Sequence, residues 1–310
     1  MSKDAWSGKD VLSVLDFSRS DLEQLFATAD AFVARPGSVK KSLTDKIVAT
    51  AFFEPSTRTR LSFSAAALKL GAKVIDLSPE SSSVMKGESL SDTVRMLESY
   101  SDLIVMRHPS EGAALLASEV SRVPIVNGGD GSQHHPSQAM LDIYTVRRLK
   151  GRVDGLRYAV LGDARYARTA TSFLYALAKY KPAEVYLVSP EGLTLRDEVK
   201  STLNKLKLKM EERASIDDVL GKVDVIYMTR IQKERFPDPN EYERVKGSYR
   251  ITKSTLSGAK GALILHPLPR TSELAYDVDS LPNAAYMEQA RLGVPVRMAL
   301  LHLVLGARDK

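Results

Sequence analysis

Two arginines and three hydroxyl side chains lie close together in one short run, residues 54–60. The apolar residues 47–53 predict a buried strand, and the amphipathic pattern that follows predicts a helix over residues 57–70, so the polar run falls where that helix begins. The first turn of a helix has unpaired N–H groups and partial positive charge, which Arg58 and Arg60 would oppose unless an anion is bound there. The run therefore predicts a phosphate site, because hydroxyl, N–H and guanidinium donors all suit phosphate. The alternative is that Ser56 is an ordinary N-cap beside two exposed arginines.

Polar clusters also occur where other predicted strands end. They are Arg107 to Pro109, Asn127 to Gly131, His134 to Gln138, Arg230 with Gln232, and His266 to Arg270. Ligands of open α/β sheets bind outside the carboxyl ends of the strands. One such cluster alone is more often a surface or capping feature, whereas five in equivalent places indicate a binding site.

Spacing disfavours two other kinds of site. Gly162-Asp163 follows a predicted strand, but the glycine spacing of a dinucleotide-binding turn is absent, and we expect no cofactor. His134 and His135 are adjacent, so on a helix they would diverge by about 100°. No neighbouring side chain at the usual spacing completes a metal site, and we expect no metal. The loop over residues 81–88 is either a solvated turn or an arm that delivers the charge of Lys86 to an anionic ligand.

The elements that must position these clusters alternate between apolar runs and helical periods, which predicts an α/β protein with parallel sheets. Strands are predicted at residues 47–53, 73–77, 102–106, 124–126, 158–161, 184–188, 224–228 and 262–265. Helices are predicted at residues 20–34, 57–70, 88–100, 112–121, 136–149, 165–180, 195–207 and 287–305. The charged, proline-containing residues 232–247 predict a long mobile loop.

These elements predict two doubly wound domains with parallel sheets and an active site in the cleft between them. Residues 1–135 form the predicted first domain, which binds the phosphate, and residues 136–289 form the second. The C-terminal helix, residues 290–310, is expected to pack back on the first domain.

The composition excludes several classes of protein. Of the 310 residues 44% are hydrophobic, which is ample for a core, and no stretch is apolar enough to span a bilayer. The absence of cysteine excludes disulfides, and residues 1–9 lack the apolar core of a signal peptide, so we expect a cytoplasmic protein. The net charge of +6 indicates anionic partners. Because aromatic residues are only 7% and the basic residues form no stripe, small acidic substrates fit better than nucleic acid, and no membrane partner is expected.

With these clusters, the chain resembles the catalytic chains of the aspartate carbamoyltransferase family over about residues 10–306. The resemblance rests on Ser56-Thr57-Arg58-Thr59-Arg60, Lys86-Gly87-Glu88, Arg107-His108-Pro109, Gly129-Asp130-Gly131, His135-Pro136-x-Gln138, Arg168-Thr169, Thr229-Arg230-x-Gln232-Lys233-Glu234-Arg235 and His266-Pro267-Leu268-Pro269-Arg270. The ornithine enzymes usually carry a Cys where Pro267 stands. The resemblance implies that carbamoyl phosphate and L-aspartate give N-carbamoyl-L-aspartate and phosphate, the first committed step of pyrimidine biosynthesis.

The resemblance also implies roles for individual residues. The phosphate would be held by Ser56, Thr57, Arg58 and Thr59, and the carbamoyl carbonyl would be polarised by Thr59, Arg107 and His135. The carbamoyl amino group would be held by Gln138 and by the loop of Pro267, Leu268 and Pro269, whose Leu268–Pro269 bond is cis in the family. Aspartate would be bound by Ser82, Lys86, Arg168, Arg230 and Gln232. Glu54 would bridge to Arg168 and Arg235 once both substrates are bound.

Assembly is also part of what the resemblance implies. Ser82 and Lys86 would enter the site of a neighbouring subunit, so full activity would need a homotrimer. The sequence leaves open whether regulatory chains join a larger assembly. Family members commonly have Gly where Ala167 stands, and a methyl group there could crowd the turn or require an ordinary φ.

Three other functions stay open on the residues alone. A carbamoyltransferase for another amine, such as ornithine, is disfavoured because Arg230 and Lys86 would repel a cationic side chain. A non-catalytic protein that binds phosphate or an amino acid would not need both an anion cradle and separate carbonyl donors. A nicotinamide dehydrogenase lacks its glycine fingerprint here.

Overall fold

The computed structural model describes residues 6–35, 41–236, 238–246, 249–259 and 261–306. The chain divides into two compact units. The first takes the chain up to Ser137 together with the part from Leu292 onward, and the second is Gln138–Arg291.

The first unit is built on a four-stranded sheet in which every pairing between strands is parallel. Its strands are β1 (Ile47–Phe52), β2 (Lys73–Leu77), β3 (Leu103–His108) and β4 (Ile125–Asp130), in the spatial order β2-β1-β3-β4. Its helices include α1 (Arg19–Ala34), α2 (Thr57–Lys69), α3 (Leu90–Tyr100) and α4 (Ala113–Val120), with 3-10 turns at Val14–Asp16, Pro79–Ser81 and Ser83–Lys86. Helix α5 (Pro136–Lys150) begins in this unit and continues in the second.

The second unit is built on a five-stranded sheet, again with parallel pairing throughout. Its strands are β5 (Arg157–Leu161), β6 (Glu184–Val188), β7 (Glu211–Arg213), β8 (Val225–Met228) and β9 (Leu263–Leu265), in the order β7-β6-β5-β8-β9. The helices that follow are α6 (Arg168–Leu177), α7 (Asp197–Lys205) and α8 (Pro239–Val245), with 3-10 turns at Ile216–Asp218, Lys233–Arg235, Thr255–Gly258 and Tyr276–Ser280. Helix α9 (Tyr286–Leu305) begins in this unit and continues in the first. The predicted fold class, two α/β domains with parallel sheets, is confirmed.

The central strands are apolar on both faces, as a parallel sheet covered by helices on both sides requires. Residues 103–106 of β3 and all of β8 are buried. Helices start at local signals: Ser18 and Asp21 form a capping box at α1, and Ser89 caps α3 by accepting from the backbone N–H of Asp92.

Each sheet has one point where the winding direction reverses. In the first sheet the chain runs from β1 to β2 on one side and then to β3 on the other, and in the second it runs from β5 to β6 and later to β8. The carboxyl ends of β1 and β3, and of β5 and β8, are therefore the places where doubly wound sheets bind ligands.

The prediction of one long loop over residues 232–247 is wrong for the residues that the structure describes. Lys233–Arg235 form a 3-10 turn, and α8 begins after Asp238, whose carboxylate accepts from the N–H of Asn240 at 2.8 Å. The ring of Phe236 lies 4.7 Å from the ring of Tyr166. Asp238 followed by Pro239 is a typical helix start, but the charged, proline-containing composition of the segment favoured a loop in the sequence-based prediction. Residues 237 and 247 of this segment lie outside the described residues.

Strand bounds also differ in two places. β7 was not predicted, since three residues with charged side chains at a sheet edge carry almost no periodicity. β4 extends to Asp130, so the polar residues predicted to follow the strand belong to it. Of the predicted C-terminal helix, residues 307–310 lie outside the described residues. Within the described part of the chain, none of the helices has the length and apolar character needed to cross a membrane.

Candidate active site

Strand register brings the predicted phosphate run beside Arg107. β1 lies next to β3 with Phe52 opposite Arg107, and the N–H of Phe53 donates to the carbonyl of Arg107 at 2.8 Å. The loop that leaves β1 therefore runs alongside the end of β3. This is the switch point of the first sheet.

The guanidinium of Arg107 joins two residues of that loop. Its Nε donates to Oε1 of Glu54 at 2.6 Å, and its Nη1 donates to Oγ of Ser56 at 3.1 Å. The bridge from Glu54 to Arg168 and Arg235 concerns the substrate-bound state and stays a prediction.

Ser56 occupies the N-cap position of α2 but makes no side-chain capping hydrogen bond. Its hydroxyl faces Arg107 instead, so the alternative of an ordinary cap is not what the structure shows. Thr57 and Arg58, the first two residues of the helix, are exposed. Arg60 turns toward the edge strand, where its Nη1 lies 3.4 Å from Oδ2 of Asp76. The helix start thus has an exposed hydroxyl at Thr57 and an exposed cationic residue at Arg58, an arrangement suited to an anion.

Thr59 and His135 form the inner wall of this cluster. Oγ1 of Thr59 lies 3.4 Å from Nε2 of His135, and the two residues are 5% and 3% exposed. Gly128 permits this packing, because a Cβ there would lie 3.1 Å from the carbonyl oxygen of Met106 and 3.6 Å from Cγ2 of Thr59. Thr59 and His135, predicted from distant parts of the sequence, are thus brought together.

The cluster of residues 127–131 serves local structure. Nδ2 of Asn127 donates to Oδ1 of Asp130 at 2.8 Å, and the N–H of Gly112 donates to Oδ2 of Asp130 at 3.0 Å. Asn127 and Asp130 are 1% and 3% exposed. These groups hold the end of β4 to the start of α4.

The two predicted histidine neighbours have different partners. Nδ1 of His134 lies 3.3 Å from Oγ of Ser13, whereas His135 faces Thr59. Nowhere in the described ranges are three His, Cys, Asp or Glu side chains grouped so that they could hold a metal ion.

At the switch point of the second sheet, the loops that follow β5 and β8 lie in close contact. The hydroxyl of Thr229, after β8, donates to the carbonyls of Leu161 at 3.1 Å and Asp163 at 3.0 Å. Gly162 has φ +104°, and a Cβ there would lie 1.9 Å from the hydroxyl of Tyr249 and 2.4 Å from the carbonyl oxygen of Thr229. Only glycine fits this position.

Asp163 shapes the turn that leads to Arg168. Its Oδ1 accepts from the N–H groups of Arg165 at 3.0 Å and Tyr166 at 2.8 Å. Burial raises the pKa of Asp163 to about 6, although backbone hydrogen bonds oppose the shift. Ala167 takes φ −79°, an ordinary value, so the methyl group at this position is accommodated.

Arg168 opens α6 and is 3% exposed, while Arg230 and Gln232 are partly buried after β8. Arg230 lies close enough to His266 for its charge to contribute to lowering the pKa of that imidazole, a shift for which burial is the larger cause. The second unit thus gathers cationic side chains at the ends of β5 and β8, next to the loop after β9.

That loop is held by His266, which is 1% exposed. Nδ1 of His266 accepts from the N–H of Leu268 at 2.8 Å, and Nε2 lies 3.0 Å from Oε1 of Glu273. Burial lowers the pKa of His266, so a neutral ring donates from Nε2 to the carboxylate. Burial opposes ionisation of Glu273, but hydrogen bonds from His266 and Thr271 hold the pKa of Glu273 at about 2. Leu268 has φ +58°, and the Leu268–Pro269 bond is cis, as the resemblance implies.

Gln138 lies in the first turn of α5 and is 7% exposed. Its Nε2 donates to Oδ1 of Asp142 at 2.7 Å. Asp142 and Glu273 were not predicted from the sequence. Each has a partner nearby in the sequence, Gln138 for Asp142 and His266 for Glu273, but a single acidic residue gives no sign that it is buried against that partner.

Ser82 and Lys86 lie on the segment after edge strand β2. Ser82 is used in its own turn, where its Oγ donates to the carbonyl of Pro79 at 2.9 Å and accepts from the N–H of Val84 at 3.3 Å. Lys86 is exposed at the end of the 3-10 turn Ser83–Lys86. The role of this segment as an arm stays a prediction.

Two family models match the chain. The model described as aspartate/ornithine carbamoyltransferase, carbamoyl-P binding domain, matches residues 9–148. The model described as aspartate/ornithine carbamoyltransferase, Asp/Orn binding domain, matches residues 154–304.

Individual relatives agree with these models. The aspartate carbamoyltransferase catalytic subunit of Thermofilum pendens is 57% identical over 300 residues, which cover 96% of this chain and 95% of that protein. The corresponding subunit of Hyperthermus butylicus is 56% identical and covers 98% of each chain. Among solved structures, aspartate transcarbamoylase of Trypanosoma cruzi in complex with carbamoyl phosphate and aspartate has a TM-score of 0.94 at 38% identity, with 98% of each chain covered. The catalytic subunit of Methanocaldococcus jannaschii aspartate transcarbamoylase has a TM-score of 0.85 at 50% identity, covering 94% of this chain and 96% of that chain.

Proposed function

We propose that this chain, which belongs to the aspartate/ornithine carbamoyltransferase family, transfers the carbamoyl group of carbamoyl phosphate to the amine of L-aspartate. The products are N-carbamoyl-L-aspartate and phosphate, and the reaction is the first committed step of de novo pyrimidine biosynthesis. One observation carries the proposal: the guanidinium of Arg107 lies against Ser56 at a helix start that has no side-chain cap. A helix start of this kind suits an anion, and the guanidinium beside it supplies a hydrogen-bond donor for a carbonyl oxygen.

The phosphate group of carbamoyl phosphate binds at the start of α2. Ser56, Thr57 and Thr59 supply hydroxyls, Arg58 supplies a planar cation, and the first N–H groups of the helix point at the same anion. Phosphate is both part of the substrate and the leaving group, so a site that stabilises its charge also favours its departure.

The carbonyl of the carbamoyl group is polarised by Arg107, His135 and Thr59. Thr59 and His135 are already in contact, and Arg107 is oriented by Glu54. The unprotonated amine of aspartate attacks the carbonyl carbon, the new C–N bond forms, and the C–O bond to phosphate breaks. The proton released by the amine passes to the departing phosphate. No protein nucleophile is needed, and positioning supplies much of the rate.

The second substrate carries two carboxylates, which Arg168, Arg230 and Gln232 bind. The arginines lie at the switch point of the second sheet, where the chain could hold a small acid. Ornithine, the alternative amine of the family, would bring a cationic side chain beside Arg230, which is unfavourable. The proposal therefore commits to aspartate.

The homotrimer with shared sites is part of the proposal. Ser82 and Lys86, on the segment after β2, serve the site of a neighbouring subunit. A measurement of native mass would test whether the chain forms a trimer. The cytoplasmic location stays a prediction from the sequence, which leaves open whether regulatory chains bind.

The test supplies the purified chain with carbamoyl phosphate and, in parallel, L-aspartate or L-ornithine, and measures the ureido product. Product with aspartate alone supports the proposal, and product with ornithine alone would overturn the assigned second substrate. Arg230→Ala is expected to raise KM for aspartate by about tenfold or more, the scale for losing a charged hydrogen bond. Arg250→Ala, which removes an exposed arginine of the same unit, is the matched control.

A further inference from the structure

The carboxylate of Asp142 is fully buried in the second unit and accepts hydrogen bonds from three side chains. Its Oδ1 accepts from Nε2 of Gln138 at 2.7 Å and from Nε2 of Gln289 at 2.6 Å. Its Oδ2 accepts from the hydroxyl of Tyr227 at 2.8 Å. A buried carboxylate is unfavourable unless donors replace water, and these three supply that compensation.

The direction of the Gln289 contact is fixed independently. The backbone N–H of His266 can only donate, and it donates to Oε1 of Gln289 at 2.9 Å. The NH₂ end of that carboxamide is therefore the end that faces Asp142. Oδ1 of Asp142 acts as an acceptor, so the atom of Gln138 against it is also a nitrogen.

The carboxamide oxygen of Gln138 is consequently turned away from Asp142. Gln138 and Asp142 are four residues apart on α5, so they lie on one face of the helix. The carbamoyl amino group has N–H donors and needs an acceptor. If the Gln138 carboxamide were turned the other way, its NH₂ group would face the carbamoyl NH₂ group, and the hydrogen bond between Gln138 and the substrate would be lost.

We propose that Asp142 is a positioning residue that fixes the Gln138 carboxamide with its oxygen presented to the carbamoyl amino group. This inference rests on the proposed function, in which Gln138 binds that group. Tyr227 supports the arrangement as a hydroxyl that stays protonated, because burial and then the neighbouring carboxylate raise the pKa of Tyr227 well above the ordinary value. Asp142 also connects Gln138, through Gln289, to the backbone of His266. The loop that begins at His266 is the other segment predicted to hold the carbamoyl amino group.

The test compares the binding of carbamoyl phosphate with that of acetyl phosphate, which has a methyl group in place of the amino group. The full-length chain in its native assembly is titrated with each ligand in a calorimeter. The wild-type chain is expected to prefer carbamoyl phosphate by about tenfold, the value of one neutral hydrogen bond. Gln138→Ala and Asp142→Ala are each expected to bring the ratio of the two dissociation constants close to one. The double variant is expected to lose nothing more, because both changes remove the same interaction.

Asp142→Asn gives a sharper test, since it preserves shape. Both glutamine amides donate to Oδ1, and the side chain that donates to Oδ2 is the hydroxyl of Tyr227, which can reverse its direction. An asparagine can therefore keep its oxygen toward the two amides and its NH₂ toward Tyr227. We expect this variant to retain the preference to within about twofold. A folded Asp142→Asn protein whose ratio matches that of Gln138→Ala would overturn the inference even if Asp142→Ala does not fold.

Thr145→Val is the matched control. Thr145 is fully buried on the same helix, and its Oγ1 donates to the backbone carbonyl of Leu141 at 2.8 Å. We expect it to change thermal stability without changing the ratio. A wild-type chain that does not discriminate between the ligands would overturn the role of Gln138 and this inference together. An Asp142→Ala protein that discriminates as well as wild type would overturn the inference alone.

Discussion

Nε of Arg107 donates to Oε1 of Glu54 at 2.6 Å, and the two side chains are 17% and 13% exposed. Nη1 of the same guanidinium reaches Ser56 at 3.1 Å. The planar group is therefore held on two sides, across the start of α2. A guanidinium that is oriented before the ligand arrives loses less freedom when carbamoyl phosphate binds.

Removal of the Arg107 guanidinium is expected to slow the reaction rather than unfold the chain. We expect Arg107→Ala to lower kcat by about 10²-fold or more, the usual scale for losing an oxyanion donor. Steady-state kinetics with both substrates saturating would measure it. Arg95→Ala is the control, because Arg95 is 59% exposed and pairs with Asp92 on the surface of α3. Turnover of Arg107→Ala within a few-fold of wild type would contradict the assigned role.

Ser56 and Ser89 occupy the same position of two helices but have different partners. Ser89 accepts from the N–H of Asp92 at 3.1 Å, whereas Ser56 makes no side-chain cap and accepts from Arg107. Ser89→Ala should cost about 1 kcal/mol of unfolding free energy and leave the kinetics unchanged. Ser56→Ala should cost little stability but raise KM for carbamoyl phosphate by roughly tenfold, the scale for a hydrogen bond to a charged group. The reverse pattern would return Ser56 to the role of an ordinary cap.

The predictability of the site depends on how local its determinants are. Residues 47–60 carry a strand, a turn and a helix start in one run, so Ser56 and Arg58 could be placed from sequence alone. The pairing of Glu54 with Arg107 spans 53 residues and depends on β1 lying next to β3. No local pattern encodes strand order, so this pairing could not be derived from periodicity.

The same reason explains what was missed in the second unit. Asp142 and Tyr227 are 85 residues apart and meet only through the fold. On an amphipathic helix Asp142 is an apparent break in the pattern, and its burial at 0% exposure can be explained only by its donors. The start of α8, in contrast, had a local signal at Asp238 that the charged composition obscured.

Glu273 is expected to make the stability of the chain depend on pH in the acid range. Its pKa is about 2 in the fold against 4.5 for the free side chain. A lowered pKa stabilises the fold above the unfolded value, so this contribution is present above pH 4.5 and is lost as the pH falls toward 2. The total is roughly 3 kcal/mol.

Urea denaturation of wild type and Glu273→Gln between pH 7 and pH 3 would measure this dependence. Glu273→Gln should be less stable at pH 7 and should show a flatter loss below about pH 4.5, since no carboxylate there takes up a proton. Glu198→Gln, at a carboxylate that is 66% exposed and pairs with Arg196, is the control and should follow wild type. Parallel curves for Glu273→Gln and wild type would rule out Glu273 as the source.

Gly162 and Gly192 separate the effect of backbone conformation from the effect of crowding. Gly162 has φ +104°, and a Cβ there would lie 2.4 Å from the carbonyl oxygen of Thr229, whereas Gly192 has φ +83° and open space around it. Gly192→Ala should therefore cost only the conformational penalty, about 1–2 kcal/mol. Gly162→Ala must also displace backbone at the end of β8, and we expect it to cost more than about 4 kcal/mol, in the range that marks an exceptional mutation.

Gly162→Ala is also expected to change the kinetics, because Thr229 lies directly before Arg230 in the chain. Arg230 is the next residue, so a displaced Thr229 moves the proposed ligand of an aspartate carboxylate. At a temperature where the variant stays folded, KM for aspartate should rise while binding of carbamoyl phosphate, measured without aspartate, stays near wild type. Gly192→Ala should change neither. Equal losses in both variants would mean that positive φ alone, and not the closeness of the two loops, explains the glycine after β5.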